Sequence, residues 1–422
     1  MSFRLGLDFG TSGARACAIA ENGAVVHEQR VGYTNPARQT PQDWRSALLA
    51  LLSGMPQDIA ANLQGIAIDG TSGTVLLCDE GLAPLSDALM YHDARAHLHA
   101  EQLASIAPAG HMALNATSGL AKFMWLTQHV EQAAYFLHQA DWLTALLSGR
   151  PGISDYHNAL KTGYDVEALR WPDWVTALPH AYLLPEVVAP GDDLGTIRPD
   201  LAARFGLSPH CRIHAGTTDS TAAFIASGVS EPGVGVTSLG TTLVLKQLSD
   251  KRIEAPEYGV YSHRYGDLWL VGGASNAGAG ILKEHFDERR LAELSARIDV
   301  TQDSPLDYYP LSAPGERFPF NEPGLAPRIE PRPADDAAFL HGLLQGLARI
   351  EAEGYARLEE LGATPLRAVI TNGGGATNEV WRKLRARLLG VPVGVAAQVE
   401  AAYGSALLCS GGYRMPRNAV SN

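Results

Sequence analysis

Residues 3–8 and 14–20 read as two short apolar strands, and residues 24–31 alternate apolar and polar positions as a third. Between the second and third lies Glu21-Asn22-Gly23, whose Asn-Gly pair is the strongest short-range hairpin signal. Thr40-Pro41-Gln42-Asp43 predicts a helix start, with Thr40 as N-cap and Pro41 at the first helical position. Trp44, Leu48, Leu49, Leu51 and Leu52 continue that helix, and residues 65–69 form another short buried strand. The order is a three-strand meander followed by crossover units.

A similar order recurs later in the chain. Residues 234–239 and 242–248 read as strands around Gly240, and 258–263 and 268–272 as another pair across Tyr265-Gly266-Asp267. A long helix is predicted from about 336 to 361, with Phe339, Leu340, Leu343, Leu344, Leu347 and Ile350 at helical spacing. That stripe is core and carries no chemistry. Residues 367–371 are a strand ending in Gly373-Gly374-Gly375; a helix, a last strand at 391–396 and a final helix from near Glu400 follow. Residues 150–200 are richer in proline and aromatics and read as an elaboration on the first domain.

At 422 residues the chain is too long for one ordinary core, so two domains with a cleft between them are expected. A net charge of −12 argues against a nucleic-acid or anionic-membrane surface. With six lysines in all, a bound phosphate would be held by backbone donors and a metal rather than by a lysine-rich pocket. Cys17, Cys78, Cys211 and Cys409 are far apart and show no metal-ligand spacing; buried free thiols in a reducing, cytoplasmic setting are expected. No signal peptide and no apolar run of bilayer length is evident.

Five small polar turns follow strands or precede helices: Asp8-Phe-Gly-Thr-Ser-Gly, Asp69-Gly-Thr-Ser-Gly, Gly216-Thr-Thr-Asp219, Ser238-Leu-Gly-Thr-Thr and Gly373-Gly-Gly-Ala-Thr-Asn378. Any one of them can be a plain turn or hairpin. Together they suggest a nucleotide site lined by loops. Gly-Lys never occurs and no Gly-x-Gly-x-x-Gly opens a helix, which removes the two commonest phosphate-binding patterns.

On these motifs the chain resembles the FGGY carbohydrate kinases of the actin and sugar-kinase superfamily. Asp8-Phe-Gly-Thr-Ser-Gly resembles the first phosphate motif and Thr237-Ser-Leu-Gly-Thr-Thr the second. Ile370-Thr-Asn-Gly-Gly-Gly-Ala-Thr-Asn378 resembles the adenosine motif, and Glu400-Ala-Ala-Tyr-Gly-Ser-Ala the closing helix. The resemblance implies two actin-like (ribonuclease H-like) α/β domains. Each would be a mixed sheet with a three-strand meander and crossover helices, with ATP in the cleft between them. The N-terminal domain would span 1–226, completed by a last helix over 402–422, and the C-terminal domain 227–401. Ile68-Asp-Gly-Thr-Ser-Gly-Thr, Ser154-Asp-Tyr-His-Asn-Ala and Ala215-Gly-Thr-Thr-Asp-Ser are most similar to the short branch assigned as D-ribulokinases.

The implied reaction is ATP-dependent phosphorylation of a ketopentose, D-ribulose first, with a D-xylulokinase, a glycerol kinase relative or another polyol kinase as alternatives. A non-catalytic sensor would be expected to have lost Asp8 or Asp219. The resemblance makes Asp219 the catalytic base, and a carboxylate suits proton acceptance from a sugar hydroxyl; the other reading is that Asp219 caps a helix beginning at Ser220. Asp8 would hold Mg²⁺ and border the substrate, which Thr71, Ser72 and Asp219 would also contact. Gly10, Thr11 and Ser12 would face the γ-phosphate, Gly240 and Thr241 the other phosphates, and Gly374, Gly375 and Asn378 the adenosine. Longer xylulokinases carry a Gln-Met-His type segment where this chain has Ser72. Asp155 and His157 are further substrate candidates. Arg15 is read as a phosphate contact or a strand-edge charge, and His97 and His99 as solvated residues of a polar helix.

Overall fold

The computed structural model describes residues 1–410, which divide into two compact units, 1–226 with 398–410 and 227–397. The first unit contains β1 (Phe3–Phe9), β2 (Gly13–Ala20), β3 (Val25–Gly32), β4 (Leu63–Gly70), β5 (Val75–Cys78), β6 (Tyr135–His138), β7 (Ile153–Asp155), β8 (Glu186–Val188), β9 (Asp193–Thr196), β10 (Arg212–His214) and β11 (Thr217–Thr218). Its main sheet has the order β3-β2-β1-β4-β10-β9, with β11 also paired to β4. The β1–β2–β3 meander is antiparallel, whereas β1, β10 and β11 all run parallel to β4.

Successive side chains of a strand point to opposite faces, and β1 uses both. Leu5, Leu7 and Phe9 join Trp44, Leu48, Leu51 and Trp142 in one core. The helix Pro41–Ser53 that supplies three of these starts as the sequence predicts. Thr40 Oγ1 accepts from the Asp43 N–H at 3.2 Å, and the Thr40 N–H donates to Asp43 Oδ2 at 2.8 Å. On the opposite face Gly6 leaves room for the helix Ala401–Leu408, where a Cβ would collide with the Ala402 carbonyl. That helix also packs on the helix Asp219–Ala226. The contact is close because Gly404 meets the Ala222 carbonyl with no side chain between them. The expected closing helix over 402–422 ends at Leu408; residues 411–422 of that span lie outside the described residues.

The second unit contains β12 (Val234–Leu239), β13 (Leu243–Ser249), β14 (Tyr261–Tyr265), β15 (Leu268–Ser275), β16 (Ala368–Asn372) and β17 (Val393–Val395), in the sheet order β14-β15-β13-β12-β16-β17. One expectation needs correction here: the three strands β12, β13 and β14 do not form a simple meander. The chain passes first to the sheet edge as β14, turns through Gly266 at φ +62°, and returns as β15 to pair with β13. The helix Asp336–Glu360 buries Phe339, Leu340, Leu343, Leu344, Leu347 and Ile350.

Behind β12 and β16 lies a buried ion pair. Arg385, from the helix Glu379–Leu389, donates to Glu351 through Nε at 2.5 Å and Nη2 at 2.7 Å, and through Nη1 to Thr371 Oγ1 at 2.8 Å. Glu351 also accepts from Thr237 Oγ1 at 2.5 Å, and Thr237 lies beside Thr371 in the β12–β16 register. The pair therefore ties two helices to the strands that lead into the Gly240 and Gly373 turns. Arg385→Leu leaves the Glu351 charge buried without its counter-ion, which should destabilise the protein by ~3–5 kcal/mol. Adding Glu351→Leu should recover part of that loss, both read as denaturation midpoints.

Candidate active site

Three carboxylates end parallel segments at one end of the first sheet. In the β1–β4 register Asp8 lies beside Asp69. Thr217 of β11 also lies beside Asp69, and Asp219 follows directly as the first residue of the helix Asp219–Ala226. The carboxyl ends of parallel strands are where open α/β sheets receive ligands. Asp8 and Asp69 are buried; Asp219 is half-buried, and its carboxylate accepts from the Ser220 N–H at 2.6 Å. The helix begins at Asp219 itself rather than at Ser220.

Asp69 Oδ2 accepts from Ser405 Oγ at 2.6 Å, whereas Asp69 Oδ1 is buried with no donor among the described residues. The Asp8 and Asp69 carboxyls lie within hydrogen-bonding reach of each other. Two carboxyls can be neighbours in this way only with a proton or a cation between them. Burial is the main cause that pushes Asp8 up to about 6; Asp219 and Glu400 add to it, while the bond to Asp69 and the charge of Arg15 oppose it. Burial, then the Asp8 charge, holds Asp69 well above the usual carboxylate range. Arg15 Nη1 lies 2.9 Å from Glu400 Oε2 and 3.8 Å from Asp8 Oδ2. Its strand, β2, is flanked by β1 and β3, so the strand-edge reading of Arg15 is corrected.

The Asp8 turn is the β1–β2 hairpin. The Gly10 N–H donates to the Gly13 carbonyl at 3.1 Å, and Thr11 and Ser12 form an exposed tip. Gln39 Nε2 holds the Thr11 carbonyl at 2.6 Å.

The third turn, after Asp69, is anchored from two sides. Gln139 Oε1 accepts from both the backbone N–H and the hydroxyl of Thr71, each at 2.9 Å. Lys122 is fully buried and donates to Gly73 O at 2.8 Å and Met90 O at 2.7 Å. Burial pushes its ammonium down to about 7. The Thr71 side chain is thus engaged inside the protein, while Ser72 Oγ is buried without a partner among the described residues. Neither Lys122 nor Gln139 stands out by motif. A lysine within the apolar run Gly119-Leu-Ala-Lys-Phe-Met-Trp was the one available signal.

Asp155 caps the short helix Tyr156–Leu160, accepting from the His157 and Asn158 N–H groups at 2.8 and 3.1 Å and from Asn158 Nδ2 at 2.6 Å. His157 is buried, with Nδ1 2.7 Å from Thr217 Oγ1. His97 is exposed, but His99 is a correction: it faces inward from the helix His97–Leu103, with Nε2 3.0 Å from Gln128 Oε1.

In the second unit the Gly240 turn joins β12 to β13. The Gly240 carbonyl accepts from the Ala279 N–H at 2.8 Å, and Thr241 is exposed. Gly278, which carried no expectation, permits this packing, since a Cβ there would strike the Thr241 carbonyl. At the third motif Gly374 is exposed and open, whereas Gly375 is a packing glycine against Trp381. Asn378 caps the helix Glu379–Leu389: its Oδ1 accepts from the Trp381 N–H at 3.0 Å and its Nδ2 donates to Ser295 Oγ at 2.9 Å.

Residues 3–226 match the N-terminal domain of the FGGY family of carbohydrate kinases, and residues 235–412 match its C-terminal domain. The chain belongs to this family. Among curated relatives, the FGGY chain is 25% identical to the xylulose kinase of Klebsiella pneumoniae, covering 92% of this chain and 85% of that one. It is 23% identical to the gluconokinase of Bacillus subtilis, over 91% and 82%. Among solved structures, a xyloylose kinase from Brucella ovis superposes with a TM-score of 0.84 at 24% identity, covering 98% and 92%. The ADP complex of Plasmodium falciparum glycerol kinase superposes with a TM-score of 0.83 at 17% identity, over 97% and 89%. The fold is that of the actin-like sugar kinases.

Among the described residues no three His, Cys, Asp or Glu side chains converge as a metal cage, and no helix is long and apolar enough to cross a membrane. The four cysteines are free. The Asp8–Asp69 pair, with its orphaned Oδ1, is a donor set suited to Mg²⁺, which binds through one or two carboxylates and completes its shell with water and phosphate oxygens.

The raised Asp8 pKa has a definite sign. In the folded state this carboxyl keeps its proton above the pH at which the unfolded chain releases it, so its contribution to stability is lost as pH rises from about 4 to about 6. Asp8→Asn should flatten that slope. It should also stabilise the ligand-free, chelator-treated protein at pH 7.5 by about 1–3 kcal/mol, measured as unfolding midpoints at pH 5 and pH 7.5.

Proposed function

We propose that this FGGY kinase transfers the γ-phosphoryl group of ATP to a ketopentose, D-ribulose first, giving the ketose 5-phosphate and ADP. The observation that carries this reading is the placement of Asp219, a half-buried carboxylate at the strand-end that also holds the buried Asp8 and Asp69. Asp219 is the group we assign to accept the proton of the attacking sugar hydroxyl. Asp8 and Asp69 are too buried and too close to serve as that base, and Asp8 is assigned to Mg²⁺ and the edge of the substrate site. When bound, Mg²⁺ neutralises charge on the phosphate oxygens.

The exposed tip Thr11-Ser12, with Gly10 closing the hairpin behind it, is assigned to the γ-phosphate, and Gly240 with Thr241 to the remaining phosphates, because such turns present backbone N–H groups to an anion. Adenosine is assigned to the open Gly374 turn, which Gly375 and Asn378 hold in shape. We read 1–226 with the closing helix as the sugar-binding domain and 227–401 as the adenosine-binding one.

For the sugar, the unpartnered Ser72 Oγ supports a hydroxyl-rich ligand, with Thr71 positioning the turn. Ser72 in place of a Gln-Met-His segment favours D-ribulose. The relatives named as xylulose kinases favour D-xylulose as the second reading. The two sugars differ in configuration at one carbon, and a single pocket contact can separate them by ~1–3 kcal/mol.

ATP-dependent turnover should be measured with D-ribulose, D-xylulose, L-ribulose, gluconate and glycerol. The highest kcat/KM is expected for D-ribulose, and chelation of divalent cations should abolish turnover. Asp219→Ala should lower kcat by at least ~10²; wild-type activity in that variant would overturn the assignment of the base.

A further inference from the structure

Gln139 opens the helix Gln139–Ser148 directly after β6, and its side chain is fully buried. Its two bonds from Thr71 settle which end of the amide is which. A backbone N–H can only donate, so the atom 2.9 Å from the Thr71 nitrogen is the oxygen. Nε2 therefore lies on the far side of the amide with two N–H donors, and neither finds an acceptor among the described residues. A buried donor pair left unmade is costly, and native proteins keep few of them.

Slack in the turn does not account for this. Lys122 also holds it through the Gly73 carbonyl, and Thr71 Oγ1 lies 2.6 Å from Thr74 Oγ1. The same turn holds a second buried, unpartnered polar atom, Ser72 Oγ. The turn thus carries one buried amphoteric hydroxyl, and the residue that holds it carries one buried pure donor pair, which a ligand bringing a pure acceptor would satisfy.

The chemistry of the proposed reaction supplies one. In a ketopentose, ring closure consumes the C5 hydroxyl by joining it to C2. A sugar that accepts phosphate at O5 must therefore be open-chain, and its C2 is a free ketone. A ketone oxygen accepts two hydrogen bonds and donates none. We propose that Gln139 is a specificity-determining residue whose Nε2 donates to the keto oxygen of the open-chain sugar, selecting ketoses over the matching pentitols. This rests on the ketopentose kinase reading above.

The test compares D-ribulose with ribitol in the wild type, Gln139→Glu and Gln139→Met. Glu keeps an oxygen for Thr71 and removes the donor pair; Met removes both ends without adding a charge. Thermal melts identify the variants that fold. In whichever folds, KM for D-ribulose should rise about 10-fold or more, KM for ATP should stay unchanged, and the ketose-over-pentitol ratio of kcat/KM should fall toward one. In the wild type without ATP, D-ribulose should raise the thermal midpoint more than ribitol does. An equal loss on both sugars with the ratio intact, or no change at all, overturns the proposal. So does a wild-type midpoint that the two sugars shift alike. Absence of wild-type turnover on every pentulose instead overturns the underlying reading, and this inference with it.

Discussion

The first unit is organised around two carboxyl groups that its sheet forces together. Parallel pairing of β1 with β4 sets Asp8 beside Asp69, and the surrounding core denies both of them water. A pair of this kind is unstable as two anions. The fold accommodates it with Ser405 on one oxygen of Asp69 and Arg15 beside Asp8. Such strain is typical of sites that are completed by a ligand. Asp219 differs from the other two in being half-buried, which is the ground on which we propose it, rather than Asp8 or Asp69, as the proton acceptor.

The second unit solves a different problem. Its glycine turns expose backbone and hold little of their own shape. The Glu351–Arg385 pair lies one layer behind them and connects Thr237 to Thr371 across β12 and β16. A satisfied buried network of this kind rigidifies what rests on it. Gly278 and Gly375 do similar work from the front, as places where a side chain would force the turns apart.

Much of this was legible in the sequence. Thr40, Pro41 and Asp43 are local signals with local causes, and the helix starts where they place it. The hairpins at Asn22-Gly23 and around Gly240 follow from turn chemistry, and the long apolar stripe from helical period. What was not legible is register and burial. No local pattern tells that Asp8 and Asp69, sixty-one positions apart, are cross-strand neighbours. Gln139, Lys122 and His99 read as ordinary polar positions, because their burial comes from elements distant in the chain. The edge strand β14 was missed as an insertion because a hairpin reads the same whether its first strand or its second pairs with the rest of the sheet.

The helix Ala401–Leu408 belongs to the first unit, yet the whole second unit is translated before it. The contact of Gly6 with Ala402 and the bond of Ser405 to Asp69 can therefore form only after that helix has emerged from the ribosome. The surroundings of Asp69 are thus among the last parts of the first unit that the order of synthesis allows to close.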